Sequence, residues 1–270
     1  MHFYEKTVLI TGGCSGIGKI MARKSLERGA SRVIIIDVND AVFQDLKKEW
    51  EAFSGEVITF HADLSKVDQI RDVAARIKEA YGVPDVLINN AGIVTGKYFY
   101  EHSHENISLS MAVNADAMMH LTLEFLPGMI ERNSGSIGNI CSLAGLIGNT
   151  KMAVYVASKW AAVGWSESLR LEMQQLGKDI KVTTIMPYYI NTGMFDGVRS
   201  GLIPILKPEP SSEKFIRAIE RERKLFATPV PYWFIRLSQG ILPVSAFDFV
   251  MKNIFGVYDT MKKFKGRDGN

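Results

Sequence analysis

The chain has 270 residues, of which 47% are hydrophobic and 23% are charged. This balance is typical of a globular protein with a sizeable core and excludes a disordered chain. The formal net charge is only +3, so we expect no nucleic-acid-binding module. The first apolar run begins at Thr7, and no apolar stretch reaches about 18 residues. We therefore expect neither a signal peptide nor a membrane-spanning helix.

Short apolar runs alternate with amphipathic segments up to Pro187. The runs are rich in β-branched residues and do not alternate strictly, which is typical of strands buried on both faces. Strand–helix alternation with short connections predicts a parallel sheet with helices on both faces. The predicted strands are Thr7–Ile10, Val33–Ile36, Val57–Phe60, Val86–Ile88, Ser136–Ile140 and Val182–Ile185. The predicted helices are Ile17–Arg28, Asp40–Ala52, Lys66–Ala80, His104–Arg132 and Met152–Leu176.

Beyond Pro187 the pattern changes. Residues 188–212 are irregular and rich in Gly, Pro, Met and Ile, and so long an irregular run in a compact domain is usually functional. A charged helix is predicted at Ser212–Leu225. The aromatic stretch TPVPYWF at 228–234 follows, and a last helix is predicted near Ala246–Val257, where the apolar residues have helical spacing.

These segments predict one domain over residues 1–270. Residues 5–195 form its core, residues 193–225 a mobile lid over the substrate, and residues 226–270 a C-terminal helical extension. Closure of such a lid would exclude water from the reaction.

The sequence TGGCSGIG at 11–18 indicates a nucleotide site. Its glycines follow the first strand and open the first helix, where backbone N–H groups and positive potential favour a pyrophosphate. The spacing differs from the commonest dinucleotide fingerprint, but an acidic residue about 20 positions on supports the interpretation. The residues of this turn expected at the cofactor are Gly12, Ser15, Gly16, Ile17 and Gly18.

The second strand ends at that acidic residue, Asp37. Its carboxylate can accept hydrogen bonds from ribose hydroxyls and would repel a 2′-phosphate, which favours NAD over NADP. Asp63 and Leu64 follow the third strand, where they can meet the adenine. The small residues of NNAG at 89–92, namely Asn90, Ala91 and Gly92, suit a tight passage beside a dinucleotide.

Tyr155 and Lys159 lie one helical turn apart, so both face the same side of a helix. A phenol of reference pKa about 10 is a poor base at neutral pH, and lowering that pKa by about 3 units takes about 4 kcal/mol. The electrostatic stabilisation of the phenolate by one nearby ammonium is of this order of magnitude. Ser142, thirteen residues upstream, supplies a hydroxyl.

Together with Asn114 and the pair Pro187…Thr192, these motifs stand in the order and at the spacings of the short-chain dehydrogenase/reductase superfamily, which residues 5–195 resemble. The resemblance implies a single Rossmann-type, doubly wound parallel sheet and an NAD-dependent oxidoreductase acting on CH–OH groups. It implies that Tyr155 exchanges the proton, that Lys159 lowers the pKa of the tyrosine and binds the nicotinamide ribose, and that Ser142 holds the substrate oxygen. Asn114 would support a water relay. Further cofactor contacts are implied at Tyr155, Lys159, Pro187, Ile190 and Thr192.

One departure narrows the resemblance. The family usually has Pro-Gly after the sixth strand, where this chain has Pro187-Tyr188. The run PYYINTGMF at 187–195 resembles the retinol dehydrogenase and 17β-hydroxysteroid dehydrogenase branch, whose members act on lipophilic alcohols. The expected substrate pocket comprises Ser142, Tyr188, Met194 and Phe195.

Three functions stay open at this point. The leading hypothesis is hydride transfer between NAD and a steroid-, retinoid- or long-chain-like alcohol or carbonyl. The alternatives are a reductase of acyl-chain or polyol-type carbonyls and a non-catalytic NAD-binding scaffold. The resemblance also implies a homodimer or homotetramer formed by the helices 104–132 and 152–176, with outward positions such as Met111, Met118 and Trp165.

The basic excess lies at the C-terminus, where residues 207–270 carry 12 basic and 7 acidic side chains. Aromatics and basic residues in one segment are typical of a membrane interface. One interpretation is a cytoplasmic protein with a reversible peripheral membrane contact. The other, which we favour, is that the aromatics cover the cleft or a subunit interface and the tail is solvated. The residues concerned are Tyr232, Trp233, Phe234, Lys262, Lys263, Lys265 and Arg267.

The two cysteines, Cys14 and Cys141, are too few for a disulfide scaffold or a zinc site. We interpret them as small residues beside the cofactor. No bound metal is expected.

Overall fold

The computed structural model describes residues 2–229 and 232–266. Seven parallel strands form one sheet in the order β3-β2-β1-β4-β5-β6-β7. The order reverses between β1 and β4, which is where open α/β sheets bind ligands. The predicted fold class is confirmed. The strands are β1 Thr7–Thr11, β2 Arg32–Asp37, β3 Glu56–His61, β4 Val86–Asn89, β5 Gly135–Ile140, β6 Ile180–Pro187 and β7 Leu225–Thr228.

Helices cover both faces of this sheet. A π-helical turn at Ala112–Asp116 divides the helical stretch 104–131 into two α-helices. The α-helices are α1 Gly16–Glu27, α2 Phe43–Glu49, α3 Val67–Tyr81, α4 His104–Met111, α5 Ala117–Glu131, α6 Ala153–Gln175, α7 Pro208–Glu220, α8 Tyr232–Ile241 and α9 Val244–Phe249.

Successive side chains along the central strands enter opposite cores, which explains the unbroken apolar runs. Val8 and Ile10 pack with helices α1, α2 and α7, whereas Leu9 between them packs with α3, α5 and α6. Each face of the sheet is therefore fully covered, and the carboxyl edge is the part left to form a site.

The C-terminal third differs from the predicted elements. Strand β7 was not predicted, because its four residues adjoin a helix and pair only with β6 at the edge. Helix α7 begins at Pro208 rather than Ser212 and ends at Glu220. The last helix predicted at 246–257 is instead the short α9 followed by a π-helical turn at Val250–Ile254.

Helix α8 was also missed, because the sequence prediction treated its aromatic start as an irregular stretch. Tyr232, Ile235 and Ser238 are buried at a spacing of three residues, so one face of α8 packs against the protein. Among residues 2–229 and 232–266, no helix is long and apolar enough to cross a membrane. Arg267 lies outside the described residues.

Two further expectations change in the structure. The outward position proposed for Met118 is wrong, because its side chain is buried beside Cys141 and Tyr232. Within the predicted lid range, Phe215, Ile216 and Ile219 of α7 are buried in the core. The segment left over the cleft is therefore residues 193–207, called the substrate loop below.

Candidate active site

A cavity of about 390 Å³ opens at the carboxyl edge of the sheet. Residues that end or follow strands β1 to β6 line it. With the exception of Asn114, the structure brings every predicted site residue to its wall. These residues are Gly12, Ser15, Gly16, Ile17, Gly18, Asp37, Asp63, Leu64, Asn90, Ala91, Gly92, Ser142, Tyr155, Lys159, Pro187, Tyr188, Ile190, Thr192, Met194 and Phe195.

The glycine-rich turn packs tightly against its neighbours at one end of the cavity. A Cβ at Gly18 would collide with the carbonyl oxygen of Gly12 and the amide of Asn90. Asn90 in turn donates from Nδ2 to the carbonyl oxygens of Thr11 at 2.9 Å and Gly12 at 3.1 Å. The loop after β4 thus supports the turn that leads into α1, where a pyrophosphate would meet the helix N-terminus.

Asp37 is fixed at the same end. Its Oδ2 accepts a hydrogen bond from the backbone N–H of Cys14 at 2.9 Å, and its Oδ1 accepts one from Asn39 at 3.0 Å. Each carboxylate oxygen keeps further acceptor capacity for a ligand hydroxyl. The nearby ammonium of Lys19 lies 2.6 Å from Glu49 and is therefore already paired.

Asp63 is held by its own turn. Its Oδ1 accepts hydrogen bonds from the hydroxyl of Ser65 at 2.7 Å and the N–H of Ser65 at 3.0 Å. These bonds lower the pKa of the Asp63 carboxyl, and the carboxylate stays charged. Asp37 and Asp63 therefore place two carboxylates at this end of the cavity.

Tyr155 and Lys159 project from the first two turns of α6 at the middle of the cavity. Both are buried, with exposed fractions of 6% and 4%. The Lys159 Nζ donates to the carbonyl oxygen of Ile140 at 3.1 Å and lies 5.8 Å from the centre of the Tyr155 ring. Ser142 faces them from the end of β5.

The prediction that Lys159 lowers the pKa of Tyr155 stays a prediction, because burial dominates the pKa of both groups in the protein alone. Burial raises the pKa of Tyr155 to about 12, and a hydrogen bond with Ser142 offsets only part of that rise. Burial also lowers the pKa of Lys159. The physical reason is that both groups are withdrawn from water, which disfavours the charged form of each.

A sequence model of the short chain dehydrogenase family matches residues 6–202. Epidermal retinol dehydrogenase 2 of Mus musculus is 36% identical over 267 residues, which are 96% of this chain and 85% of that protein. Retinol dehydrogenase 10-A of Danio rerio is 31% identical, covering 88% of this chain and 78% of that protein. The chain belongs to the short-chain dehydrogenase family.

A short chain dehydrogenase/reductase from Burkholderia phymatum, solved in complex with NAD, has the same fold. It superimposes with a TM-score of 0.80 at 24% identity, covering 89% of this chain and 95% of that one. The family match and the two retinol dehydrogenase relatives show that this short-chain dehydrogenase is an oxidoreductase of the alcohol dehydrogenase/reductase type.

Asn114 lies behind the cavity of this short-chain dehydrogenase, in the π-helical turn between α4 and α5. Its Oδ1 accepts from the N–H of Ile93 at 2.8 Å, and its Nδ2 donates to the carbonyl oxygen of Ile93 at 2.9 Å and to Ser158 Oγ at 3.1 Å. Asn114 therefore joins the loop after β4 to the residue preceding Lys159. π-Helical turns inside α-helices are frequent at functional sites.

The other end of the cavity is an aromatic wall. The Phe195 ring packs edge-on against Tyr189 at 5.0 Å and against Tyr155 at 6.0 Å between ring centres. Tyr189 also packs against Tyr188, whose hydroxyl lies 2.9 Å from Ser200 Oγ. This end is apolar except for the hydroxyls of Ser142 and Tyr155 and a few hydrogen-bonded polar groups.

Sequence reasoning missed several residues at this end. Tyr189 could have been found from its neighbour Tyr188, but no local signal marks the others, because distant segments bring them together. The missed lining residues include Ile147, Asn149, Met152, Tyr189 and Val257.

Both cysteines are free and buried. Burial, reinforced for Cys14 by the adjacent carboxylate of Asp37, raises the pKa of each thiol to about 12. The thiols are therefore protonated at neutral pH and poor nucleophiles.

Proposed function

We propose that this protein transfers a hydride between NAD and a lipophilic alcohol or carbonyl, with Tyr155 as the acid/base group. The observation that carries the proposal is the division of one cavity into two unlike halves. The glycine-rich turn and Asp37 line one half, the Tyr188–Phe195 aromatic wall lines the other, and Tyr155 lies between them.

The residues fit a nicotinamide dinucleotide. When bound, its nicotinamide would accept or supply the hydride. The turn at 11–18 would hold the pyrophosphate, Asp37 the adenosine ribose, and Lys159 the nicotinamide ribose. Ser142 would hold the substrate oxygen next to the phenol of Tyr155.

The protonation of Tyr155 suits this role. In the protein alone its phenol is protonated at neutral pH, which is the form that donates to a carbonyl oxygen in reduction. Oxidation of an alcohol requires the phenolate, which the hydroxyl of Ser142 and the ammonium of Lys159 favour. We therefore expect alcohol oxidation to become faster as pH rises from neutral to alkaline, and carbonyl reduction to become slower.

Preference for NAD over NADP rests on Asp37. Two unit charges about 4 Å apart cost on the order of 4 kcal/mol at an effective dielectric of about 20, and less after screening. The carboxylate is held in place by the N–H groups of Cys14 and Asn39, so it cannot easily turn away from a 2′-phosphate.

The substrate class rests on the second half of the cavity. Apolar surface, which disfavours polyols, comes from Phe195, Met194, Ile147 and Val257. The two relatives described above are named retinol dehydrogenases, which supports a retinoid-like or similarly apolar alcohol.

A panel of hydrophobic and polyol alcohols, assayed with NAD and with NADP by NADH or NADPH absorbance, tests the proposal. We expect turnover with apolar secondary or allylic alcohols and NAD. Preferred turnover of polyols or acyl-chain carbonyls would favour the alternative substrates. Binding of NAD without turnover of any panel member would favour a non-catalytic scaffold.

We also propose that the outer face of α8 and α9 meets a lipid surface. Large apolar side chains point outward from this segment, which is unusual for a surface patch of a soluble monomer. Residues 232–266 also carry five basic and two acidic residues. The exposed apolar side chains are Trp233, Phe234, Leu237, Ile241, Val244, Phe249 and Ile254.

The inner face of the same segment supports this proposal. Ile235 and Phe247 pack with Ile147 and Val257, which line the cavity. A membrane on the outer side would therefore lie next to the substrate half of the site. Anionic lipid contributes about 1 kcal/mol per basic residue near the surface.

Co-sedimentation with anionic vesicles at low and high salt tests the contact. We expect binding at low salt that weakens at high salt and in Trp233→Ser and Leu237→Ser variants. Tyr100→Ser, at an exposed aromatic outside both this patch and helices α5 and α6, is the matched control. A protein that stays in the supernatant at low salt would contradict the proposed lipid contact. Sedimentation velocity that shows self-association through this patch would contradict it too.

We further propose a homodimer or homotetramer, as the family resemblance implies. Helices α5 and α6 carry outward apolar side chains at Leu123, Trp160 and Leu171 that a second copy would cover.

A further inference from the structure

Residues 256–266, called the C-terminal strap below, lie across the substrate half of the cavity. The strap follows the last π-helical turn and lies beyond residue 202, where the match to the family ends. Its contacts reach three separate parts of the chain, and one of its side chains lines the cavity.

The first set of contacts is with the substrate loop. The N–H of Arg199 donates to the carbonyl oxygen of Thr260 at 3.1 Å, and the N–H of Lys265 donates to that of Asp196 at 2.8 Å. Gly197 has φ +82°, and a Cβ there would collide with the carbonyl oxygen of Lys263. The backbones are therefore too close for any side chain at this position, and residues 196–199 of the loop are tied to the strap.

The second set is a buried polar cluster beside the aromatic wall. The Asn149 Nδ2 donates to Thr260 Oγ1 at 2.8 Å and to the Tyr189 hydroxyl at 2.9 Å, and the two hydroxyls lie 3.0 Å apart. Thr260 is only 1% exposed. The cluster holds the Tyr189 ring, which packs against Phe195 and through it against Tyr155.

The third contact is with the loop after β4. Phe264 covers Gly96 so closely that a Cβ at Gly96 would collide with its ring. Met261, which is fully buried, packs in the same cluster as Tyr155 and Met152. The strap is therefore part of the packed wall and not a loose tail.

Val257 is the residue of this strap that reaches the cavity lining. It is 4% exposed and packs with Ile147 and Tyr188 in front of the α8–α9 segment. A substrate that extends away from Tyr155 through the apolar half meets this side chain.

We propose that Val257 is a specificity-determining residue that sets how long or bulky an alcohol the cavity accepts, and that Thr260 positions it by anchoring the strap to Tyr189 and Asn149. The inference rests on the proposed function and adds to it the element that limits substrate size. A hydrophobic pocket discriminates about tenfold or more for each methylene group that fits or does not fit.

The test measures kcat/KM with NAD for a series of straight-chain secondary alcohols of about six to fourteen carbons. Successive members of the series differ by about one methylene group. Val257→Ala should move the optimum to longer alcohols, and Val257→Phe should move it to shorter ones, each changing the long-to-short ratio about tenfold or more. Val67→Ala, at an exposed valine of α3 that does not line the cavity, is the matched control and should keep the wild-type profile. Thr260→Val should raise KM for the longer alcohols more than it lowers kcat.

A second measurement separates this inference from the proposed function. Thermal stabilisation of the NAD-loaded protein by the same alcohols reports binding without turnover. If no alcohol is oxidised but the stabilisation profile shifts with Val257, the proposed reaction fails and the pocket assignment stands. Profiles of Val257→Ala and wild type that coincide in both measurements would overturn the assignment, even if Val257→Phe does not fold.

Discussion

The two halves of the cavity are built in different ways. The cofactor half comes from short contiguous segments at strand ends, such as residues 11–18 and 89–92, and lies within the family match. The substrate half combines residues 142–155, 188–195 and the C-terminal strap, which are far apart in sequence. The first half is therefore encoded by local turns, whereas the second depends on packing between distant segments.

The cofactor half uses a general way of binding a dinucleotide, whereas the substrate half is specific to this protein. Binding a pyrophosphate and a ribose requires backbone N–H groups and one carboxylate, and a strand–turn–helix supplies them wherever it occurs. The shape of an apolar pocket depends on which side chains distant elements bring together. Substitutions in the two halves should accordingly fail in different ways.

Tyr155→Phe should give the largest effect. It removes the phenolic oxygen, which is the proposed acid/base atom, and leaves the ring to pack against Phe195. We expect kcat to fall about 10²–10⁴-fold while NAD binding is retained. Steady-state kinetics and NAD titration by protein fluorescence measure the two quantities.

Tyr188→Phe is the matched control for Tyr155→Phe. It removes the hydroxyl that lies 2.9 Å from Ser200 Oγ at the edge of the substrate half. We expect it to change KM more than kcat. A Tyr155→Phe variant with near wild-type kcat would contradict the assignment of Tyr155 as the acid/base group. It would also contradict the division of roles between the cofactor half and the substrate half of the cavity.

Asp37→Ser should give a smaller effect, confined to the cofactor half. Removing the carboxylate relieves repulsion of a 2′-phosphate and loses hydrogen bonds to the ribose, so the NAD-to-NADP ratio of kcat/KM should fall about 10–100-fold. Asp40→Ser, an exposed carboxylate three residues on, should leave the ratio unchanged. Equal use of both cofactors by the unaltered protein would show that Asp37 does not select between them.

The same contrast explains what could be predicted from the sequence. The parallel sheet and most lining residues of the cofactor half follow from apolar runs and from the turns at their ends, so the sequence predicted them, although it missed Ile36, Val38 and Ala62. Strand β7 and helix α8 were missed because a four-residue edge strand and an aromatic stretch carry little periodic signal. Val257 and Thr260 act through contacts with residues about 70 to 110 positions away, and no local pattern encodes such contacts.

The pKa of Tyr155 shows the same limit of sequence reasoning. Helical spacing places Tyr155 and Lys159 on one face, but the burial of both groups depends on the surrounding fold. Spacing therefore predicted the pair, and only the packed structure gave the direction of the pKa change.

The smallest expected effect concerns helix α7, which joins the substrate loop to the sheet. Glu213 of α7 lies 2.7 Å from Arg28 and 3.2 Å from Lys24, both on α1. Burial disfavours its carboxylate, but hydrogen bonds from Arg28, Lys24 and Arg217 outweigh that and lower the pKa of Glu213 to about 2. Since the pKa is lower in the folded protein, the ion pairs stabilise it above the ordinary value near 4.5 and cease to do so as pH falls towards 2.

We therefore expect Glu213→Gln to lower the free energy of unfolding at pH 7 by about 1 kcal/mol, because partly exposed pairs contribute little each. The difference from wild type should shrink as pH falls below about 4.5, while kcat at pH 7 stays unchanged. Urea unfolding at pH 7 and below about pH 4.5 measures the change in the free energy of unfolding. Glu131→Gln, at an exposed carboxylate, is the control. A loss that persists undiminished at low pH would mean that packing rather than charge joins α7 to α1. A large fall in kcat would mean that α7 belongs functionally to the substrate half of the cavity.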